Sequence, residues 1–238
     1  MPAADRKSKT PRFYFSLRSP YSWLAYRELM SRHRDLVGQL EWLPFFEPDP
    51  ESSRELAERG GQFPYSEMSR EKNRYVLQDV GRLTKARGIT VTWPVDRAPV
   101  WEVPHLGYLV AEEHGLGHEY ITAVYEARFG AGLNICDREV IGDIGEKLGI
   151  DRGLIADASD DADLRAEGVR ILLEVCKDGV FGVPFFVHGY TRFWGLDRLD
   201  DFIAHLGSRK APALTLVEPS TAVALGRSVE DAHAGGCG

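Results

Sequence analysis

Cysteine is scarce in this chain: Cys136, Cys176 and Cys237 are the only three in 238 residues, and no two form a Cys-x-x-Cys pair. An odd, scattered set argues against a disulfide framework and points to a reducing cytoplasm. Cys176 falls on a helical apolar face and reads as a small buried hydrophobe. Cys237 belongs to a terminal Gly-Gly-Cys-Gly, where disorder is the default expectation. No apolar run approaches the roughly 18 residues of a membrane helix, so no membrane association is expected. Positive charge is also short, and a formal net charge of -7 argues against broad attraction to nucleic acid or anionic lipid. The opening residues are polar and basic with no apolar stretch behind them, which speaks against export. Phosphate-binding loops, Ser-His-Asp arrangements and internal repeats are missing. Gly130-Ala131-Gly132 lacks the third glycine and preceding strand of a dinucleotide site. His114 and His118 are separated by Gly115 and Gly117, which deny them a rigid helix, so no metal site is expected.

What remains is ordinary globular material, 43% hydrophobic and 27% charged. Phe13 to Leu17 reads as a short buried strand, followed by a helix to about Arg34 and a second strand over Leu40 to Phe46. This β-α-β order predicts a parallel pair with a crossover helix. Glu51 to Pro64 has little apolar periodicity and reads as a loop with at most one helical turn. Helices are then predicted over Ser66 to Arg87, Pro104 to His114, Glu119 to Phe129, Asp137 to Leu148 and Ala162 to Lys177, with an irregular connection over Ile89 to Val103. Val183 to Val187 and Thr191 to Trp194 form a predicted hairpin, and Leu196 to Leu206 a last helix. The expected architecture is an α/β domain, residues 11–63 and 180–207, interrupted by a helical insertion, 64–179, with tails at 1–10 and 208–238.

Two features carry chemistry. Ser19-Pro20 opens the first helix, with serine suited to the N-cap and proline to the first helical position. Its hydroxyl lies among unpaired N–H groups at the positive end of a helix dipole, a place that attracts anions, including a thiolate. Far along the chain, Val183-Pro184 stands at the start of a strand, where proline is tolerated. It is either a plain strand-start proline or a cis bond that turns the Val183 backbone outward toward an extended ligand.

The segments Phe13 to Ala25, Gly179 to Val187 and Phe193 to Leu199 resemble the 2-hydroxychromene-2-carboxylate isomerases, close kin of kappa-class glutathione transferases and DsbA-like oxidoreductases. Phe129 to Ile135 and Glu146 to Asp151 are also similar, so the resemblance spans Phe13 to Leu206. It implies a thioredoxin-like domain with a helical insertion, and dimerisation. It implies too that Ser19 hydrogen-bonds and activates the thiol of glutathione, that Val183 before a cis Pro184 pairs with its cysteinyl moiety, and that Asp197 binds its γ-glutamyl end, with Leu196 and Arg198 beside it. Asp197 is alternatively a helix cap, and Arg198 a surface ion pair. Ser19 and Ser22 occupy the positions of a DsbA-like cysteine pair, so disulfide cycling there is excluded; Ser22 either assists the thiolate or caps the first turn. Leu196 replaces a small polar residue, and no asparagine occurs between Glu41 and Lys72, where Ser52 or Ser53 would have to substitute. The thiol is therefore glutathione or another low-molecular-weight thiol.

The implied chemistry is reversible thiolate addition to a conjugated carbon, rotation and elimination, with a borrowed nucleophile. The substrate is a planar, apolar or carboxylated small molecule. Trp42, Phe46, Trp93 and Trp194, with Phe45 and Trp101, are candidates for an apolar wall, against the commoner role of core aromatics. Arg18, beside the serine, either meets a substrate carboxylate or is solvated. A kappa-like transferase that releases the adduct, and a non-enzymatic module that binds a peptide or partner in the proline groove, are the competing readings.

Overall fold

Proline and serine chemistry at Ser19-Pro20 builds the first helix. In a computed structural model, which describes residues 10–64 and 68–210, Ser19 is its N-cap and Pro20 its first residue. Strand β1 (Arg12–Phe15) leads through a short loop into α1 (Pro20–Arg32), a small helix α2 (Arg34–Val37) and strand β2 (Glu41–Pro44). After the helical block come β3 (Phe185–His188), β4 (Thr191–Trp194), a 3₁₀ turn at Leu196–Arg198 and a closing helix, Leu199–Lys210. The sheet runs β2-β1-β3-β4, with β1 and β2 parallel and the other pairs antiparallel. Phe13, Tyr14, Phe15 and Phe186 are wholly shielded, and Phe13 stacks across the strands on Phe186 at 4.8 Å. Such cross-strand aromatic pairs fix the register. The far end of β1 is tied down by Arg12, which reaches Glu41, Glu174 and Asp178, while the Tyr14 hydroxyl donates to Asp178.

Between β2 and β3 lie α3 (Pro50–Glu58), α4 (Arg70–Ala86), α5 (Glu102–Glu113), α6 (Gly117–Tyr125), one π-helical turn (Glu126–Gly130), α7 (Arg138–Lys147), α8 (Arg152–Ala156), a 3₁₀ turn (Ala158–Asp160) and α9 (Ala162–Asp178). Helix α5 is the hub, packed against α6, α7, α8 and α9. Its Gly107 makes room for α6: an added Cβ would lie 2.6 Å from the Tyr120 hydroxyl. The Glu102 carboxylate at its start accepts the Asp49 N–H at 2.5 Å, tying the hub to the cap of α3.

The segment expected as a loop, Glu51 to Pro64, contains the nine-residue helix α3. Asp49-Pro50 supplies the same cap-and-proline start as Ser19-Pro20, and only Ser52 and Leu56 face inward, so the periodic signal is faint. The helix expected from Ser66 starts at Arg70, capped by Ser69; Ser66 itself lies outside the described residues. The helix expected over Glu119 to Phe129 becomes α6 and the π turn. The last helix runs past Gly207 to Lys210, through the first residues assigned to a tail. The remainder of that tail with Cys237, and the N-terminal tail before Thr10, lie outside the described residues. Cys176 is half-buried rather than buried, and its thiol donates to the Gln62 carbonyl.

Candidate active site

Ser19 has extended backbone angles (φ -82°, ψ 121°), and its Oγ accepts the Ser22 N–H at 3.2 Å. That bond uses a lone pair. Among the described residues the hydroxyl proton of Ser19 has no acceptor, so it is free to donate outward. Pro20 carries no N–H and that of Ser22 is taken by Ser19, so the Tyr21 amide and the aligned peptide dipoles of the helix place partial positive charge at the same point. An anion there gains both the hydroxyl and the dipole.

The loop before Ser19 is held by side chains from the helical insertion. Tyr125 donates its hydroxyl to the Ser16 carbonyl at 3.0 Å. His105 accepts the Leu17 N–H on Nε2 at 3.0 Å, while its Nδ1 faces the Trp101 carbonyl at 2.7 Å. This pairing makes Nδ1 the protonated nitrogen. Burial pushes the imidazole down to about 3, helped by the charges of Arg128 and Arg18 and opposed by the bond to Trp101. Arg128 donates Nε to the Arg18 carbonyl at 3.3 Å and forms a bidentate pair with Asp96 at 2.8 and 2.9 Å. Both Arg18 and Arg128 lie over the buried Trp101 ring, at 5.1 and 5.3 Å. His105, Tyr125 and Arg128 were not singled out from the sequence. The available signal was an imidazole and a carboxylate inside the otherwise apolar run Trp101 to Ala111.

The second half of the site comes from the sheet. Tyr14 pairs with Phe185, so the chain before β3 lies at the end of β1 from which the Ser16–Ser19 loop departs. The Val183–Pro184 peptide is cis, and the Val183 N–H and C=O make no backbone hydrogen bond among the described residues. The turn Leu196–Arg198 packs on α1, bringing Leu196, Asp197 and Arg198 to the same helix that Ser19 caps. Gly195 before it has φ 105°, a left-handed conformation that glycine adopts freely. Asp197 is exposed, and Arg198 pairs with Asp201 at 3.1 Å.

Five expected residues are placed otherwise. Trp101 is buried beneath the Arg18 and Arg128 guanidinium groups and lines no open wall. Ser22 is fully buried and its Oγ accepts the Ser16 N–H, so it braces the loop and does not face a ligand. Trp42 is half-buried against the core, packed on Phe13, Phe15, Tyr26 and His118, with its Nε1–H bound to the Val37 carbonyl. Phe46 is 3% exposed and stacks on His105, so it supports the loop from beneath. Ser52, a stand-in for the absent asparagine, is buried and accepts from Arg165. Trp194 and Trp93 do reach the surface. Trp194, 54% exposed, meets the equally open Phe181 edge-on at 4.9 Å. Trp93 sits on the segment that Thr92 ties to the Phe129 carbonyl. Arg18 is half-exposed, lies over the Trp101 ring and reaches Glu47 at 3.4 Å.

A cavity of about 700 Å³ lies away from this centre, between the second half of α1 and the end of α4, lined by Leu24, Met30 and Arg87 among others. A smaller one, about 280 Å³, opens beside Glu47, Leu56 and Phe63. No group of three or more metal-ligating side chains occurs among the described residues, and none of their helices is long and apolar enough to cross a membrane.

Residues 12–207 match the family model described as the DSBA-like thioredoxin domain. The chain is 24% identical over 200 residues to the 2-hydroxychromene-2-carboxylate isomerase of Sphingobium xenophagum, covering 84% of this chain and 98% of that protein. A solved structure of 2-hydroxychromene-2-carboxylate isomerase superposes with a TM-score of 0.66 at 22% identity, over 84% of this chain and 95% of that one. The cytosolic disulfide reductase DsbM from Pseudomonas aeruginosa, solved with GSH, gives a TM-score of 0.54 at 18% identity, over 84% and 98%.

Proposed function

The chain belongs to the DSBA-like thioredoxin domain family, and from that premise we propose that it is a thiol-dependent isomerase whose catalytic residue is Ser19. The observation that carries this reading is the hydroxyl of Ser19: it caps α1 with a lone pair and keeps its proton unengaged at the positive end of the helix. Among the described residues, disulfide exchange at this position has no sulfur to use. Ser19 and Ser22 stand at the helix start, and Cys136 and Cys176 are half-buried elsewhere.

The residues present fit a small thiol such as glutathione, consistent with the DsbM relative solved with GSH. Ser19 would donate to its sulfur, and the unpaired backbone N–H and C=O of Val183 would bind its cysteinyl amide as a strand pairs with its neighbour. Asp197 and Arg198 would take its charged γ-glutamyl end. When bound, the thiol supplies a nucleophile that adds to a conjugated carbon and leaves again after rotation about the new single bond. The chain's own part is to hold sulfur as thiolate. A hydroxyl donor and a helix N-terminus both favour the charged form and lower the thiol's pKa toward neutral pH. Arg18 would orient a carboxylated substrate, exchanging its long contact with Glu47 for the ligand. Trp194 and Phe181 would offer an apolar edge to a planar one.

Thermal unfolding with and without glutathione tests the assignment. A ligand that binds only the folded state at a hundredfold its dissociation constant adds about 2.7 kcal/mol of apparent stability. The wild type should gain stability in this way, and Ser19→Ala should lose the gain. Comparing each protein with its own thiol-free state cancels the cost of removing the cap. No gain for any cellular thiol at millimolar concentration would refute the reading.

A further inference from the structure

The insertion grips three consecutive backbone groups in front of Ser19. Tyr125 binds the Ser16 carbonyl, His105 the Leu17 amide and Arg128 the Arg18 carbonyl. All three side chains are buried, at 1%, 0% and 4% exposure, and each reaches 88 residues or more along the chain to make its bond. The Ser19 N–H donates to the Ser16 carbonyl at 3.0 Å, the oxygen that Tyr125 also binds. The Arg18–Ser19 peptide is therefore pinned on both sides, its C=O by Arg128 and its N–H by Ser16.

The clamp has further supports. The π turn widens the helix at Glu126–Gly130, so that Arg128 and Phe129, neighbours in sequence, both face inward; such turns recur at functional sites. Asp96 holds the outer edge of the Arg128 guanidinium, and Trp101 lies under it and under Arg18. Phe46 stacks on His105 from below.

We propose that Tyr125, His105 and Arg128 are positioning residues that aim the Ser19 hydroxyl, so that the helical insertion sets how strongly the site favours a thiolate. This rests on the reading of Ser19 as the thiol-activating residue. The physical link is angular. A hydrogen bond weakens steeply as its geometry bends, and a catalytic donor must be held within about 10–20° of its productive direction. Ser19 is joined to its helix by the bond to the Ser22 amide, and to the sheet only through the Ser16–Arg18 loop. Releasing one clamp frees the φ/ψ angles from which the hydroxyl projects.

Two readouts test the proposal in Tyr125→Phe, Arg128→Lys, Arg128→Met, His105→Met and His105→Gln. Amide hydrogen exchange over residues 16–22 reports positioning with no ligand present. Ultraviolet thiolate absorbance of bound glutathione, followed against pH, reports its consequence. Tyr125→Phe, which loses only one oxygen, should speed exchange at the Ser19 amide. Arg128→Met and His105→Met should lower the ratio of bound thiolate to bound thiol about threefold at any given pH, a half-unit rise in the thiol pKa. His105→Gln keeps an acceptor for the Leu17 N–H and should restore most of the wild-type value, and Arg128→Lys should fall between. Asp178→Asn, which weakens the opposite end of β1, should match their loss of stability yet leave both readouts at wild type. Folded variants with wild-type exchange over residues 16–22 would overturn the proposal. If wild-type protein binds no glutathione, the isomerase reading fails on that arm while exchange still decides the clamp.

Discussion

Acidification should weaken the fold through one side chain, His105. It is wholly buried and neutral, its Nε2 occupied by the Leu17 N–H, and burial holds its pKa down to about 3 from an ordinary 6.5. Between those values the unfolded chain binds a proton that the folded chain refuses. Stability therefore rises with pH across this window and is lost as pH falls through it. The slope is about 1.4 kcal/mol per pH unit, so going from about pH 7 to about pH 5 removes about 2 kcal/mol through this group alone. Against a total of about 5–15 kcal/mol for an ordinary domain, that is a large loss. Urea unfolding of the wild type and of His105→Gln at both pH values isolates it. The glutamine keeps an acceptor for Leu17 but has no proton to gain, while other groups, such as Asp49 with its lowered carboxyl, contribute equally to both proteins and cancel. The wild type should lose about 2 kcal/mol more than the variant over this interval. Equal losses would refute the neutral, amide-bound histidine.

Asp178→Ala should cost about 1–3 kcal/mol in urea unfolding, because it removes one of the three carboxylates that hold Arg12 and leaves the buried Tyr14 hydroxyl only its long bond to the Glu174 carbonyl. Gly107→Ala should cost about 1–3 kcal/mol by driving a methyl group into the Tyr120 hydroxyl, which donates to the Pro104 carbonyl. Cys136, whose thiol burial pushes up to about 12, should resist alkylation near neutral pH in the folded protein and react on unfolding.

The sequence disclosed what is written locally. Ser19-Pro20 announces a cap and a helix start because serine and proline act within one turn, and the hairpin around His188-Gly189 follows from short apolar and aromatic runs on either side of a glycine turn. Asp49-Pro50 carried the same message, but a helix that buries only Ser52 and Leu56 gives almost no periodicity to confirm it. Aromatic identity does not disclose direction. Trp42 and Phe46 look like pocket walls in one dimension, yet the parallel register with β1 turns Trp42 into the core and His105 covers Phe46. Ser22 fails as a ligand for a related reason: one turn of helix carries its hydroxyl inward to the Ser16 amide. The clamp was illegible because its partners are non-local. Nothing near His105, Tyr125 or Arg128 in sequence announces a loop 88 to 110 residues away. Only the polar residues inside the apolar run of α5 hinted that something buried needed a partner.

The central claim is that Ser19 holds a small thiol as its anion. Proton release on glutathione binding reads that event directly: calorimetric titrations at a pH below the thiol's own pKa, in two buffers of different ionisation enthalpy, give the number of protons expelled. A free thiol with a pKa of about 8.5 is almost wholly protonated near neutral pH. The wild type should therefore expel most of one proton per glutathione bound, and Ser19→Ala only a small fraction of that. Glutathione that binds both proteins with the same proton release, or binds the wild type with none, would contradict the account.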